Sequence, residues 1–118
     1  MDMRIERFRF GTIVVDGTTY HRDIVIRADG TVKERKGGIW RFGPHRVKKQ
    51  DIRELRDAKV AVVGLGTRSR VRLTDDATAY ARQVGMDLLL LPSREAVDTF
   101  NRLLEEGKAA AALLHITC

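Results

Sequence analysis

Hydrophobic and polar positions divide the chain into two halves of different character. In the first half, the apolar residues 13–15 and the stretch Thr18–Tyr20 flank the pair Asp16-Gly17, which tolerates the positive φ that a type I′ turn requires. A second apolar run, Ile24–Ile26, precedes another turn signal at Asp29-Gly30. The pattern predicts an N-terminal layer of β-hairpins.

The second half alternates strand and helix signals. Apolar runs at 60–63, 88–91 and 109–114 are typical of strands that are covered on both faces. Between them, apolar residues recur at helical spacing in two groups: Ala77, Tyr80, Ala81 and Val84, then Ala96, Val97, Phe100, Leu103 and Leu104. The short connections predict an α/β fold with a mixed, mainly parallel sheet flanked by helices. We expect residues 1–118 to form a single compact domain.

Local signals place the ends of these elements. Asp51 and Glu54 have capping-box spacing and predict a short helix over 51–55. Gly85 is placed to end the first long helix, and Ser93 to cap the second. Because the final run 109–114 is wholly apolar, it predicts a strand in the core rather than a frayed tail.

Composition narrows the class of protein. No run approaches the roughly 18 apolar residues of a membrane span, and the first residues lack the apolar core of a targeting segment. The single cysteine excludes an internal disulfide and fits a reducing compartment, so we expect a cytoplasmic protein. Three histidines and one cysteine do not have the spacing of a closed zinc site, and we expect neither metal nor cofactor.

The formal net charge of +6 is concentrated in one segment. Residues 60–118 carry 7 basic and 7 acidic side chains, whereas residues 33–49 carry 7 basic side chains against Glu34 alone. The segment contains several glycines and embeds Trp40, so it is predicted to be a loop or an irregular ribbon. Its candidate partner-binding residues are Lys33, Arg35, Lys36, Trp40, Arg41 and Arg46.

Three interpretations of this basic segment remain open. Clustered Lys and Arg neutralise phosphates, and Trp40 could stack on a base, so nucleic acid is one possible partner. An acidic protein surface is a second. A solvated loop with Trp40 packed on the core is the third and the simplest.

A second candidate site is the turn Gly64-Leu65-Gly66 after a buried strand, where a phosphate-binding turn would lie. Such a site needs a helix N-terminus, yet residues 67–73 look extended or looped, and Ser69 replaces the third glycine of the dinucleotide fingerprint. The two glycines are explained most simply by a tight turn. In the alternative, the ligand-binding residues would be Gly64, Gly66, Arg68, Ser69 and Arg70.

A cysteine–histidine catalytic pair is a third possibility, formed by Cys118 with His45 or His115 and oriented by Asp23 or Asp51. Nothing in the sequence brings these groups together. A thiol at residue 118 next to an α-carboxylate would also form thiolate less readily. We therefore expect structural roles for these residues and no catalytic set.

Several motifs taken together resemble the Mth-nine-three-eight-like domain family. They are Phe10-Gly11, Asp23 before Ile24–Ile26, His45, the Gly64-Leu65-Gly66 turn, the Pro92-Ser93-Arg94-Glu95-Ala96 helix start with Asn101, and the ending Leu114-His115-Ile116-Thr117-Cys118. The match runs nearly from end to end. It departs from the family where Ser93 replaces the more common Thr and where residues 67–70 are more basic.

The resemblance implies a compact α/β domain with a mixed sheet, an added hairpin layer and no agreed catalytic residues. The family includes an adipogenesis-associated protein of animals and a mitochondrial assembly factor for respiratory complex I. Together with the basic segment around Trp40 and the missing catalytic set, this favours a binding or assembly module with a protein partner, contacted through residues 33–49 and the loop 67–72. A small-anion or nucleotide-binding enzyme at the glycine turn, and nucleic-acid binding, stay as alternatives.

Overall fold

The computed structural model describes residues 3–35 and 46–118 as three helices and three sheets. The largest sheet has five strands, and its spatial order is β5-β4-β10-β7-β9. These strands are β4 (Ile24–Ile26), β5 (Val32–Glu34), β7 (Val60–Gly64), β9 (Asp87–Leu91) and β10 (Ala110–Leu114). The mixed α/β architecture expected from the sequence is confirmed.

Strand β10 occupies the centre of this sheet. It pairs in parallel with β7, from Ala110↔Val60 to Leu114↔Gly64, and antiparallel with β4. All five of its residues are buried. Two junctions of the sheet are parallel and two are antiparallel. The prediction that the last apolar run is a core strand is confirmed.

The N-terminal hairpin layer is a three-stranded antiparallel sheet of β1 (Ile5–Arg9), β2 (Thr12–Val15) and β3 (Thr18–Tyr20). Asp16 and Gly17 have φ of 48° and 83°, the two positive values that the predicted type I′ turn requires. In β2 the buried Ile13 and Val15 alternate with half-buried residues, whereas in β1 the buried Ile5 and Phe8 are three residues apart because the register shifts between Ile5 and Arg7; all four face the core beneath α3 (Ser93–Glu105).

The helices cover opposite faces of the five-stranded sheet. Helix α3 packs Ala96, Val97 and Phe100 against one face, and α2 (Asp75–Gln83) packs Ala77 and Ala81 against the other, where α1 (Lys49–Arg53) also lies. Because strand side chains alternate, β10 contributes Ala110, Ala112 and Leu114 to the first core and Ala111 and Leu113 to the second.

Three local predictions were wrong. Helix α1 begins at Lys49, and Asp51 is its third residue, whose carboxylate accepts the N–H of Lys48 at 2.8 Å. Pro92, not Ser93, is the N-cap of α3, because the Ser93 hydroxyl is engaged elsewhere. Strand β9 is not covered on both sides: it is the edge of the sheet, and Leu90 is 46% exposed.

Glu54 ties α1 to the β4–β5 hairpin. Its carboxylate pairs with Arg27 and, at 3.3 Å, with Lys33, a residue proposed above as a partner contact. The hydrogen bond from the Arg27 guanidinium holds the pKa of the Glu54 carboxyl below its usual range, against the opposing effect of burial. The pairs are partly exposed, so solvent screens them.

We expect Glu54→Gln to lower the melting temperature at pH 7. A carboxyl whose pKa is lowered by folding stabilises the protein above its unfolded pKa, about 4.3, and that stability is lost as the pH falls through the folded pKa. The difference from the native sequence should therefore shrink in acid, as measured by thermal unfolding at several pH values. The control is Glu106→Gln at an exposed position. A constant difference across the pH range would contradict the prediction.

Candidate functional site

The Gly64-Leu65-Gly66 turn is packed against the last residues of the chain. Gly66 has φ +102°, and a Cβ atom built on it would lie 2.3 Å from the carbonyl carbon of Cys118. A Cβ on Gly64 would lie 2.8 Å from the Ser93 hydroxyl oxygen. Glycine is therefore required at both positions by a close approach of other parts of the chain, and at Gly66 also by the left-handed backbone.

Backbone donors of this turn point at the protein itself. The N–H of Leu65 donates to the carbonyl of Leu91 at 2.8 Å, and the N–H of Thr67 donates to that of Thr117 at 2.7 Å. The N–H of Arg70 donates to the carbonyl oxygen of Cys118 at 3.1 Å. A phosphate-binding turn needs such donors for its anion, so here they serve to hold residues 117–118 in place.

Ser93, at the start of α3, also bonds to the glycine turn. It is fully buried, and its hydroxyl accepts the N–H of Gly66 at 2.8 Å while donating to the carbonyl oxygen of His115. The backbone N–H of Ser93 in turn donates to the carbonyl of Gly66 at 3.0 Å. One hydroxyl thus joins the start of α3, the glycine turn and the segment after β10, a role that sequence spacing could not indicate.

His115 and Asp23 lie together, as one of the catalytic hypotheses required. The Asp23 Oδ2 atom is 2.8 Å from His115 Nδ1, and Oδ1 accepts the N–H of Ile116 at 3.1 Å. The Oγ1 atom of Thr117 lies 3.0 Å from His115 Nε2. His115 is only 1% exposed. The other proposed histidine, His45, lies outside the described residues.

Arg35 belongs to this partly buried network, where its guanidinium is engaged by the protein itself, which corrects its prediction as a partner contact. Its guanidinium is 3.3 Å from Asp23 and 3.1 Å from Asp51, and its side chain is 10% exposed. The sequence held a signal for this pairing. The hairpin predicted at Asp29-Gly30 pairs Ile24 with Glu34, and the next pair outward is Asp23 with Arg35.

Asp23, His115 and Thr117 are the residue types of an acyl-transfer triad, and further hydrogen bonds fix the position of Thr117. The carbonyl of Thr117 accepts both the N–H and the hydroxyl of Thr67. An open groove of about 650 Å³ lies elsewhere, between the start of β1, the β4–β5 turn and α3, and none of its lining residues belongs to this network.

We call residues Arg46, Lys48, Arg68, Arg70 and Arg72, all exposed, the basic face. The short strand β6 (Arg46–Val47) pairs in parallel with β8 (Arg72–Leu73), and Arg46 is the register partner of Arg72. The described end of the predicted segment 33–49 therefore meets the predicted loop 67–72. The candidates Lys36, Trp40 and Arg41 lie outside the described residues.

Two classes of site have no support in the described part of the chain. Residues 3–35 and 46–118 contain no cluster of three or more His, Cys, Asp or Glu that could bind a metal ion. Within the same ranges, no helix has the length and apolar character that crossing a bilayer requires.

Comparison with known proteins identifies the family. Residues 5–115 match the family described as "Protein of unknown function (DUF498/DUF598)", so the chain belongs to that family. A conserved hypothetical protein from Pyrococcus horikoshii is 26% identical, with a TM-score of 0.82 over 98% of this chain and all of that one. The structure named MT938 is 24% identical, with a TM-score of 0.79 over 98% and 99% of the two chains.

A more distant neighbour is a Bordetella pertussis protein described as a Mth938-like domain, which is 16% identical with a TM-score of 0.75 over 97% and 85% of the two chains. These structures share the fold, and the predicted resemblance to the Mth938-like domain family is confirmed.

We expect Gly66→Ala to lower the free energy of unfolding by more than about 2 kcal/mol, because it adds backbone overlap with Cys118 to the strain of a positive φ. The matched control is Gly85→Ala, at φ +72° with nothing within 4 Å of the added Cβ, which should cost about 1 kcal/mol. Urea unfolding of both variants measures the difference. Equal losses would show that Cys118 does not constrain the turn.

Removing the Asp23 carboxylate should also lower the free energy of unfolding. Asp23→Ala leaves the partly buried Arg35 and the buried His115 without their shared acceptor, and we expect a loss of about 3 kcal/mol in urea unfolding. Glu105→Ala breaks an ion pair with Arg4 whose side chains are 57% and 63% exposed, and should change stability little. Similar effects of the two variants would contradict the role of the network.

Proposed function

We propose that this protein is a non-catalytic binding or assembly module that contacts an acidic protein partner through the basic face. The pairing of β6 with β8 supports this most directly, because it brings Arg46 beside Arg72 at the surface, with Arg68 and Arg70 on the preceding loop. A cluster of like charges attracts an anionic surface and orients it on approach.

The charges of the basic face are available to a partner. Arg46, Arg68 and Arg70 form no ion pair with any residue in the described ranges. The guanidinium of Arg72 donates to the carbonyls of Val71, at 3.0 Å, and of Ser69, and the second bond holds the end of the loop in place. By contrast, Arg27, Lys33 and Arg35 are satisfied within the molecule.

The hydrogen bonds of the glycine turn also favour this proposal over a small-anion site. The N–H groups of Leu65, Gly66, Thr67 and Arg70 all donate to acceptors of the protein itself, so a small anion would have to bind through side chains, above all those of Arg68 and Arg70. These two residues are then better explained as part of the larger basic face.

The test is a charge reversal with a matched control. Arg46→Glu, Arg68→Glu and Arg70→Glu are combined in one variant, and Arg72 is kept because it holds the loop. The control combines Arg7→Glu, Arg9→Glu and Lys108→Glu, three exposed residues outside the face. Both variants change the net charge of +6 by the same amount. Proteins captured by each from a cell extract are quantified against the native sequence.

We expect at least one protein to be captured by the native sequence and the control but reduced about tenfold with the basic-face variant. Equal capture by all three would remove the basic face from the function. Retardation of DNA or RNA that weakens steeply with salt would instead favour nucleic acid. Inorganic phosphate or nucleotides that raise the melting temperature of the native sequence, but not that of the basic-face variant, would favour the small-anion alternative.

A further inference from the structure

Phe10 is an exposed aromatic residue on a fixed turn. Together with Gly11 it connects β1 to β2, and the pairing of Arg9 with Thr12 closes this two-residue turn. Gly11 has φ +82°, and its N–H donates to the carbonyl of Ile116 at 2.7 Å. At 63% exposure, Phe10 is more exposed than any other large apolar residue in the described ranges. An aromatic side chain on a fixed backbone loses little conformational entropy when a partner covers it.

Backbone hydrogen bonds connect the turn of Phe10 to the loop 67–72 of the basic face. The carbonyl of Ile116 accepts from the turn, and the carbonyl of the next residue, Thr117, accepts the N–H of Thr67 at 2.7 Å. Hydrogen-bonded backbones have Cα atoms about 5.5 Å apart, and consecutive Cα atoms are about 3.8 Å apart, so the turn lies within about 15 Å of the loop. An interface of standard size, about 800 Å² on each protein, is wide enough to include Phe10 together with the arginines of the loop.

The surroundings of Phe10 are basic. No Asp or Glu occurs in the segments that meet at this turn: 9–12, 20–22, 66–72 and 115–118. The exposed Arg22 directly precedes Asp23, whose carboxylate is itself engaged by Arg35 and by the N–H of Ile116. Arg22 forms no ion pair with any residue in the described ranges. An apolar centre among unpaired charges is complementary to a protein surface with an apolar recess and an acidic rim.

We propose that Phe10 is the apolar anchor of the interface formed by the basic face, and that its ring enters an apolar recess, rimmed by acidic side chains, on the partner protein. This inference rests on the proposed function and specifies the chemistry of the partner. Aromatic residues and arginine contribute most to the affinity of protein interfaces. The arginines orient the partner on approach, and burial of the ring slows its dissociation. Arg9 lies outside this interface, because it is on the solvent face of β1, whereas Phe8 and Ile116 face the core.

The test places a photoreactive benzophenone amino acid at position 10 of the full chain, which is then irradiated in a cell extract. We expect a crosslink to the protein that the basic face captures, at a stretch with acidic and apolar residues as read by mass spectrometry. Adding Arg46→Glu, Arg68→Glu and Arg70→Glu should reduce this crosslink about tenfold. The matched control carries the benzophenone at Val84, an apolar residue 47% exposed at the end of α2 opposite to β8, and should not crosslink that protein.

Salt separates the apolar contact from the charged one. Phe10→Ser should lower capture of the same protein about tenfold at both low and high salt, because salt does not screen an apolar contact. The loss caused by the three charge reversals should shrink as the salt concentration rises. Val84→Ser should leave capture unchanged, and circular dichroism checks the fold of each variant.

The negative results distinguish the two proposals. Capture that depends on the basic face but is unchanged in Phe10→Ser, or a crosslink from position 10 that the charge reversals do not affect, would overturn the inference and leave the proposed function standing. A crosslink from position 10 to nucleic acid or to a second copy of this chain would also overturn it. Equal capture by the native and charge-reversed proteins would refute the proposed function and this inference together.

Discussion

Strand β10 lies between an antiparallel and a parallel neighbour, and the rest of the structure depends on that placement. Its alternate side chains enter the cores on both sides of the sheet, so the same five residues contribute to the core beneath α3 and to the core that includes α1 and α2. Directly after it, residues 115–118 meet the turn that ends β7. The core strand thus continues directly into residues 115–118, which include His115 and Cys118, the candidate reactive side chains.

That continuity explains why several reactive residue types lie close together after β10. His115 follows β10 directly and is buried beside Asp23, which precedes the neighbouring strand β4. Asp23 accepts from Ile116 and pairs with Arg35, and Arg35 reaches Asp51 on α1. The ionisable groups therefore join the hairpin, the first helix and the last strand, where a buried charge is stable only when it is paired.

The basic face depends on a different part of the fold. Strands β6 and β8 are only two residues long, and their pairing brings together loops that are far apart in sequence. The arginines there have no internal acidic partner in the described ranges, unlike those near Asp23 and Glu54. This contrast separates basic residues that hold the protein together from those proposed to bind another molecule.

The sequence by itself determined the elements whose cause is local: the Asp16-Gly17 hairpin, the helix stop at Gly85, the core strand at the end of the chain and the family. It could not determine which side chains meet across the sheet. Serine is a residue type that favours a helix N-cap, but Ser93 bonds to Gly66 and His115 instead, because the glycine turn passes over the start of α3. Arg35 looked like a surface charge until the tertiary structure placed two carboxylates beside it. Periodicity and turn chemistry act between near neighbours in sequence, whereas these contacts exist only once distant segments have packed together.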